Sequence, residues 1–261
     1  YDDNTSATTT IRNGDVTNAP NVMPLPGFFL QDEWSMTEMH KLLIGYRLDH
    51  DVNHGVVRSP RLAYKWAPNG RWAVRANFGT GYRVVNLFTE EHAALTGARQ
   101  VRIEGDLLPE RSLNATLNVV RKWPGEKRYF GLDGSLFYTY FSNRILPDYT
   151  TDQDLIIYRN LDGYGVSRGA SLNVETRVGK PLRILAGATW MQVFTTQQGV
   201  ASDLFFAPKW SGTFTASYQL TPKWSTDLTG QWYGPMRLPV QPNDFRPERS
   251  PTYALLNLQA T

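Results

Sequence analysis

The sequence contains no cysteine in 261 residues. This absence excludes disulfide frameworks, zinc ribbons, redox CxxC motifs and thiol nucleophiles, and it leaves the redox compartment open. Long apolar runs are missing too. The best of them, residues 182–194, is interrupted by an arginine, a threonine and a glutamine. A membrane-crossing helix needs about 18 consecutive apolar residues, so none is predicted.

An excess of charge of one sign is also lacking. The 27 Lys and Arg against 24 Asp and Glu give a net charge of +3, and these charges are scattered along the chain. Nucleic-acid grooves need a concentrated basic stripe, so nucleic acid is not expected as a partner. Aromatic residues, by contrast, are abundant for a chain of mean hydropathy −0.41, with 8 Trp, 13 Tyr and 12 Phe.

The first part of the chain carries no periodic pattern. Residues 1–24 are rich in Asp, Asn, Thr and Pro, which predicts an irregular loop. The chain starts at a tyrosine and shows no signal peptide, so we expect a fragment or a processed chain.

The rest of the chain alternates apolar and polar residues with a period of two. From Leu113 to Val119, every second residue is apolar, and the residues between them are Asn or Thr. This alternation predicts strands with one apolar face, and no stretch keeps the 3.6-residue period of a helix. Eleven strands are predicted, at residues 26–36, 41–50, 58–68, 71–80, 109–123, 128–142, 155–179, 181–195, 206–220, 223–233 and 252–261.

The connections between these strands alternate in length. Short connections are predicted at residues 37–40, 69–70, 124–127, 179–180 and 221–222, and long ones at 51–57, 81–108, 143–154, 196–205 and 234–251. One end of the sheet is therefore expected to be tight and the other looped. The strands exceed the 5 to 6 residues usual in soluble proteins, and a tilted membrane-crossing strand needs about 9 to 11.

These features predict an all-β protein, a transmembrane antiparallel up-and-down β-barrel of which this chain is a part. The apolar residues 113, 115, 117, 119, 130, 132, 136 and 138 should face lipid, and the polar set a wet lumen. An aromatic girdle near the short turns is expected from Trp66, Trp72, Trp123, Trp210 and Trp224. The alternative is a soluble β-propeller or β-solenoid with an aromatic core, which does not require such loops and would show a repeat.

Three consecutive stretches carry a family resemblance: VRANFGTGYRVVN (residues 74–86), LFTEEHAALTGAR (87–99) and LLPERSLNATLNV (107–119). Together they resemble the C-terminal barrel of TonB-dependent outer-membrane receptors, including receptors for cobalamin and iron chelates. Val84 and Val85 stand where members usually carry Ala-Pro or Pro, which leaves the substrate subgroup open. The residues that carry the resemblance are Arg75, Gly79, Gly81, Tyr82, Arg83, Pro109, Glu110, Ser112, Tyr158, Arg159, Asn160, Gly169 and Glu175.

The resemblance implies a 22-stranded barrel in the bacterial outer membrane, with an N-terminal plug and a TonB-contacting segment. Residues 1–24 would be an extracellular loop and residues 25–261 about half of the barrel, the plug and the C-terminal strands lying outside this chain. The implied function is active uptake of a scarce large solute, such as a ferric siderophore or cobalamin. The implied partners are the TonB-ExbB-ExbD energising complex, the lipid bilayer, the chelate or vitamin, and a surface lipoprotein. The alternatives are a passive porin or structural barrel and a barrel-embedded hydrolase.

No catalytic, cofactor or metal site is predicted. His50 and His54 are spaced as two ligands on one face of a helix, but they fall in a predicted loop and lack a third ligand. Adjacent Glu90 and Glu91 do not converge without a scaffold, and a Gly-x-Ser-x-Gly elbow is absent.

Two sets of residues are predicted to form the transport path. Loops on a rigid barrel usually display binding groups, so ligand contacts are expected on the long loops. Charges on the wet face would line the passage or bind the plug, because on the lipid face each would cost about 2 to 4 kcal/mol. The expected ligand contacts are Tyr82, Arg83, Asn86, Glu90, Glu91, His92, Asp148 and Tyr149. The expected lumen- or plug-facing residues are Arg75, Asn77, Asp133, Glu175, Arg177 and Asp227.

Overall fold

The computed structural model describes residues 11–12, 15–16, 24–84, 100–105, 107–148, 151–152, 155–179, 181–240 and 245–261. Within them, no helix is long and apolar enough to cross a membrane. The strands are β1 (Ile11–Arg12), β2 (Asp15–Val16), β3 (Gly27–Ser35), β4 (His40–Asp51), β5 (Gly55–Asn69), β6 (Trp72–Arg83), β7 (Gln100–Ile103), β8 (Glu110–Pro124), β9 (Arg128–Asn143), β10 (Ile145–Asp148), β11 (Leu155–Asn160), β12 (Gly163–Val178), β13 (Leu182–Gln197), β14 (Val200–Asp203), β15 (Trp210–Thr221), β16 (Trp224–Tyr233) and β17 (Tyr253–Ala260).

One large sheet dominates the described residues. Its order is β3-β4-β5-β6-β8-β9-β12-β13-β15-β16-β17, with β14 paired to β13, and each strand is antiparallel to its neighbour. The neighbours follow the chain order, so the sheet is an up-and-down meander. These eleven long strands confirm the number predicted from the alternation. The two-residue β1 and β2 pair only with each other.

The predicted tight end of the sheet is confirmed. Strands β3 and β4, β5 and β6, β8 and β9, β12 and β13, and β15 and β16 are joined by connections of two to four residues. Polar side chains close several of these turns by accepting hydrogen bonds from backbone N–H groups, as such residues commonly do. The acceptors are Thr37, Asn69 and Thr221. We call this edge the turn end and the opposite edge the loop end.

The connection at residues 51–57 is shorter than predicted. Strand β4 continues to Asp51 and β5 begins at Gly55, so only a three-residue turn separates them. The Asp51 carboxylate accepts hydrogen bonds from the N–H groups of Asn53 and His54, each at 2.9 Å. Gly55 follows with φ of 74°, a conformation that favours glycine.

Part of the loop end forms a second, smaller sheet, which sequence alternation did not predict. In this side sheet, β11 pairs antiparallel with β10 and parallel with β7. The single strand predicted at residues 155–179 is therefore wrong, because it is divided between β11 and β12. The chain turns at Gly163, whose φ is 150° and where a Cβ would overlap the carbonyl oxygen of Thr196.

The strand register separates an apolar face from a polar face. Leu117 lies opposite Ala76 and Leu136, whereas its neighbour Asn118 lies opposite Arg75 and Ser135. All the residues predicted to face lipid share the apolar face. Asn114 and Asp133 lie on the polar face, as the predicted register requires.

Every one of the 8 tryptophans lies on the apolar face. Trp210 lies opposite Trp190 at the loop end, so its predicted place near a short turn is wrong. The remaining tryptophans divide between the two ends of the sheet. Those at the turn end are Trp34, Trp66, Trp72, Trp123 and Trp224, and those at the loop end are Trp190, Trp210 and Trp232.

Most apolar side chains of the large sheet remain exposed in this chain. The buried hydrophobic cluster lies instead in the side sheet, where Ile145, Ile156 and Tyr158 pack together with Leu107. Tyr158 is only 1% exposed. This small core joins described parts of two long connections at the loop end.

Candidate functional site

A cavity of about 380 Å³ opens at the loop end. The final residues of β6 and the first residues of β8 form two of its sides, and the end of β9 forms the third. Its lining combines small, aromatic and charged residues. They are Gly81, Tyr82, Arg83, Glu110, Arg111, Ser112, Phe141 and Arg144.

The carboxylate at the base of this cavity is held on both oxygens. Arg83 donates to Glu110 Oε2 from Nε at 2.9 Å and lies within 2.8 Å of it through Nη2. The backbone N–H of Ile145 donates to Glu110 Oε1 at 3.1 Å. Glu110 is buried while Arg83 is more than half exposed. Glu110 therefore connects the end of β6 to the start of the side sheet.

Arg144 is the least solvated cation of the cavity. Its guanidinium lies 4.7 Å from the ring centroid of Phe141, and its Nη1 is buried without a hydrogen bond among the described residues. Burial lowers the pKa of Arg144, the charge of Glu110 opposes this and the charge of Arg83 adds to it. With Arg111, the described residues that line the cavity include three arginines and one carboxylate. This excess of positive charge suits an anionic ligand.

Tyr82 and Arg83 point to opposite faces of β6. Arg83 lies opposite Glu110 on the polar face, whereas Tyr82 lies opposite Arg111 on the other. The Tyr82 hydroxyl is buried and finds no hydrogen-bond partner among the described residues. The two side chains therefore do not act as one pair.

Asp148 lies in the side sheet rather than in the cavity lining. Its carboxylate accepts from the N–H of Thr151 at 3.1 Å and from Arg159 Nη2 at 2.8 Å. Arg159 also lies 3.6 Å from a carboxylate oxygen of Glu104. These contacts join the end of β10 to Thr151, to β11 and to Glu104 after β7. The other expected ligand contacts, Asn86, Glu90, Glu91, His92 and Tyr149, lie outside the described residues.

The residues expected to face the lumen all lie on the polar face. Arg75 donates to the Asn118 side chain at 3.1 Å, and Asn118 donates to Asp133 at 2.6 Å. Further along the sheet, Glu175 pairs with Arg177 at 2.8 Å. The register continues this face through Asn77 and across to Asp227, which hydrogen-bonds Ser217. Their role toward a lumen or a plug stays a prediction.

A second cationic cluster lies at the loop end beside β14. The Asp203 carboxylate lies 3.0 Å from Lys209 Nζ and 3.4 Å from Arg249 Nη2, and Arg237 donates to the Asp203 carbonyl at 3.0 Å. Burial raises the pKa of Asp203, but the hydrogen bonds and charges of Lys209 and Arg249 outweigh it, so this pKa lies below its ordinary value. This cluster fastens the connection after β16 to β14.

Sequence reasoning missed Arg144, Arg111 and the Asp203 cluster. Each of these charged groups lies at or beyond the end of a strand next to a predicted long connection. Their position at the strand ends is the signal in the sequence that could have indicated a site. Charged residues in loops are usually solvated, so this signal alone does not identify one. Nothing in the sequence alone brings Arg144 to Glu110, because the contact depends on the side sheet.

Comparison with known proteins supports the fold. The family described as TonB dependent receptor-like, beta-barrel, matches residues 1–261. The chain is 35% identical over 94 residues to the iron-regulated outer membrane virulence protein of Vibrio cholerae, a match covering 35% of this chain and 14% of that protein.

Solved receptor structures have the same fold. The siderophore receptor PirA of Acinetobacter baumannii matches with a TM-score of 0.67 at 13% identity, over 90% of this chain and 39% of that one. A variant of the ferric enterobactin receptor PfeA of Pseudomonas aeruginosa gives 0.68 at 18% identity, over 99% of this chain and 41% of that one. The chain thus spans about two fifths of the length of these receptors. It belongs to the family of TonB-dependent receptor β-barrels.

Proposed function

We propose that this chain forms the part of an outer-membrane receptor that binds an anionic ferric chelate, of the siderophore type, at its loop end. The whole receptor would admit the chelate when the TonB-ExbB-ExbD complex acts on a plug domain. Membership of the receptor family and the siderophore receptors among its structural neighbours support this proposal.

The observation that carries the choice of an anionic chelate is the charge of the loop-end cavity. Arg83 and Arg144 lie near the Glu110 carboxylate, Arg111 lines the same cavity from the other face of β8, and Arg144 is partly desolvated. An arginine held away from water binds a carboxylate or catecholate oxygen more strongly than a solvated one. The Asp203 cluster is also cationic, with Lys209 and Arg249 on the carboxylate and Arg237 on the backbone carbonyl.

Binding of this kind requires no covalent chemistry. The large sheet supplies a rigid base, and the side sheet fixes Arg144 beside the cavity. The arginines would orient the chelate at the loop end. The polar face, including Arg75, Asn77, Asp133, Glu175, Arg177 and Asp227, would then contact the plug or line the passage.

The test compares two ferric chelates of similar size and different charge. A ferric tricatecholate carries a net charge of about −3, whereas a ferric trihydroxamate is close to neutral. In the full-length receptor, Arg144→Gln should weaken binding of the tricatecholate about tenfold, which is the effect of about 1.4 kcal/mol. Intrinsic tryptophan quenching on purified receptor measures both affinities.

Lys223→Gln is the matched control, because it removes one positive charge from the turn end. This variant should bind the tricatecholate as the unmodified receptor does. A loop-end anion site predicts that only Arg144→Gln weakens binding and that the trihydroxamate binds less well to the unmodified receptor. Equal affinity of the unmodified receptor and Arg144→Gln for the tricatecholate would contradict the proposal.

A further inference from the structure

An arginine stands on the apolar face near the turn end. Arg121 lies opposite Trp72 on β6 and opposite Leu132 on β9, on the face shared with Leu117. In an outer-membrane barrel this face meets lipid. Arg121 is three residues before the end of β8 at Pro124. At about 3.3 Å per residue and a strand tilt of about 40°, Arg121 lies about 8 Å from the turn along the membrane normal. This distance places it at the depth of the lipid headgroups.

Two indole rings enclose the guanidinium of Arg121. Its Cζ lies 4.4 Å from the ring centroid of Trp72 and 5.1 Å from that of Trp123. Both distances are within the range of cation–π attraction. Contact with both rings limits the freedom of the guanidinium to turn away from the membrane.

Arg121 has no counter-ion among the described residues. It makes no ion pair there, and its Nε is buried without a hydrogen-bond partner. Asp133 follows Leu132, the residue opposite Arg121 on β9, but its side chain lies on the opposite face of the sheet. A cation that is enclosed by aromatic rings and lacks an anionic partner favours an anion from outside the protein.

The same face carries a second cation, Arg128, and a recess next to Trp123. A recess of about 500 Å³ lies next to Trp123 and includes Phe130 and Arg128. Trp123 lies opposite Phe130, with ring centroids 5.3 Å apart, and Arg128 follows on the same face at the start of β9. The recess thus offers apolar surface for a glycerol backbone or an acyl chain, with Arg128 in its lining and Arg121 next to Trp123.

We propose that Arg121, held between Trp72 and Trp123, binds the phosphate of an anionic glycerophospholipid in the leaflet at the turn end, and that the recess receives the lipid's glycerol and upper acyl region. Arginine matches the geometry of a phosphate with two parallel N–H donors. A membrane phospholipid is the occupant that the position favours, because Arg121 and, in the recess, Trp123 and Phe130 lie on the lipid-facing side of the sheet. The proposal does not depend on the receptor's transported substrate.

Native mass spectrometry of the full-length receptor, purified in detergent with added phosphatidylglycerol, tests this site. The unmodified receptor should retain phosphatidylglycerol, and Arg121→Gln should lower the retained fraction at least fivefold. Lys122→Gln is the matched control, because this neighbouring residue lies on the polar face and its loss should leave retention unchanged. Arg121→Met provides a second variant that suits a lipid-facing position, and it should lose retention as Arg121→Gln does.

Two further arms identify the ligand. Diacylglycerol, which has the same chains without the phosphate, should not be retained. Inorganic phosphate at millimolar concentration should not displace phosphatidylglycerol, since the recess contributes contacts to the lipid. Retention in Arg121→Met equal to that of the unmodified receptor would overturn the proposal. Displacement by inorganic phosphate would assign the site to free phosphate and would overturn the lipid assignment.

Discussion

Arg83 and Glu110 lie directly opposite each other at the ends of β6 and β8, joined by contacts of 2.8 and 2.9 Å. The residues between them form the longest connection at the loop end. This pair closes the base of that connection, and the bond from Ile145 to the same carboxylate extends it to the side sheet. The base of the candidate site is therefore fixed by one carboxylate.

Glu110→Gln should destabilise the loop end. The amide keeps one acceptor but removes the negative charge that lies beside Arg83 and the partly buried Arg144. Because Arg83 is more than half exposed, we expect a loss of about 1 to 2 kcal/mol rather than the larger cost of breaking a fully buried pair. Thermal unfolding of the full-length receptor measures it.

The control for this variant is Glu33→Gln. Glu33 pairs with Lys41 at 3.0 Å, but both side chains are about half exposed, so the loss should stay below about 1 kcal/mol. Equal shifts of the unfolding temperature in the two variants would show that Glu110 is only a surface charge.

The periodic pattern predicted the large sheet because successive side chains of a strand point to opposite faces, one apolar and one polar. Leu117 and Asn118 cannot exchange faces without placing a row of polar groups among lipid tails. Strand number and the turn end follow from this constraint and from turn-forming residues such as Asn69. Such local information sufficed for most of the fold.

The side sheet and the cavity depend on contacts that the pattern does not encode. Strand β7 pairs in parallel with β11 across more than fifty residues of chain. The alternation in β7 covers only four residues, and β11 begins with a continuous apolar run. Arg121 is one of several charged residues that lie on the apolar face. Its position is explained by the rings of Trp72 and Trp123, which sequence spacing alone does not bring together.

Leu117→Arg should hinder folding into a bilayer. Leu117 lies midway along β8 on the apolar face, where an arginine costs about 2 to 4 kcal/mol. Thr116→Arg, the control, places the same side chain on the polar face and should cost less than about 1 kcal/mol. Unfolding by urea in lipid vesicles gives both values. Equal costs would contradict the division into two faces, and a higher cost for Thr116→Arg would show that the faces are assigned the wrong way round.

Asp203→Asn should release the connection after β16. The pKa of Asp203 in the folded state lies below its ordinary value of 3.8, so its stabilising contacts are fully present above that value and are lost as the pH falls through the lowered pKa. At pH 7 the asparagine removes both ion pairs. Trypsin should therefore cut after Arg237 or Arg249 several times faster than in the unmodified receptor.

The pH dependence provides the check on this assignment. Pepsin should cut the same connection of the unmodified receptor slowly at pH 4 and faster as the pH is lowered toward 2. In Asp203→Asn the change between these two pH values should be smaller. Identical pH profiles for the two proteins would mean that Asp203 does not control access to the connection.

Tyr158→Ala should separate the side sheet from the barrel. Tyr158 is 1% exposed and packs with Ile145 and Ile156, so its truncation removes most of a small core and should cost about 3 to 5 kcal/mol within that unit. The large sheet shares little of this core and should assemble normally. Arg144 lies next to Ile145 and its carbonyl accepts from the N–H of Leu161 at 2.8 Å, so loss of the side sheet should displace its guanidinium. Binding of the ferric tricatecholate should then fall at least as far as in Arg144→Gln, while folded receptor in the membrane stays at its normal level. A Tyr158→Ala receptor that is assembled and binds the chelate with unchanged affinity would show that the side sheet does not position the site.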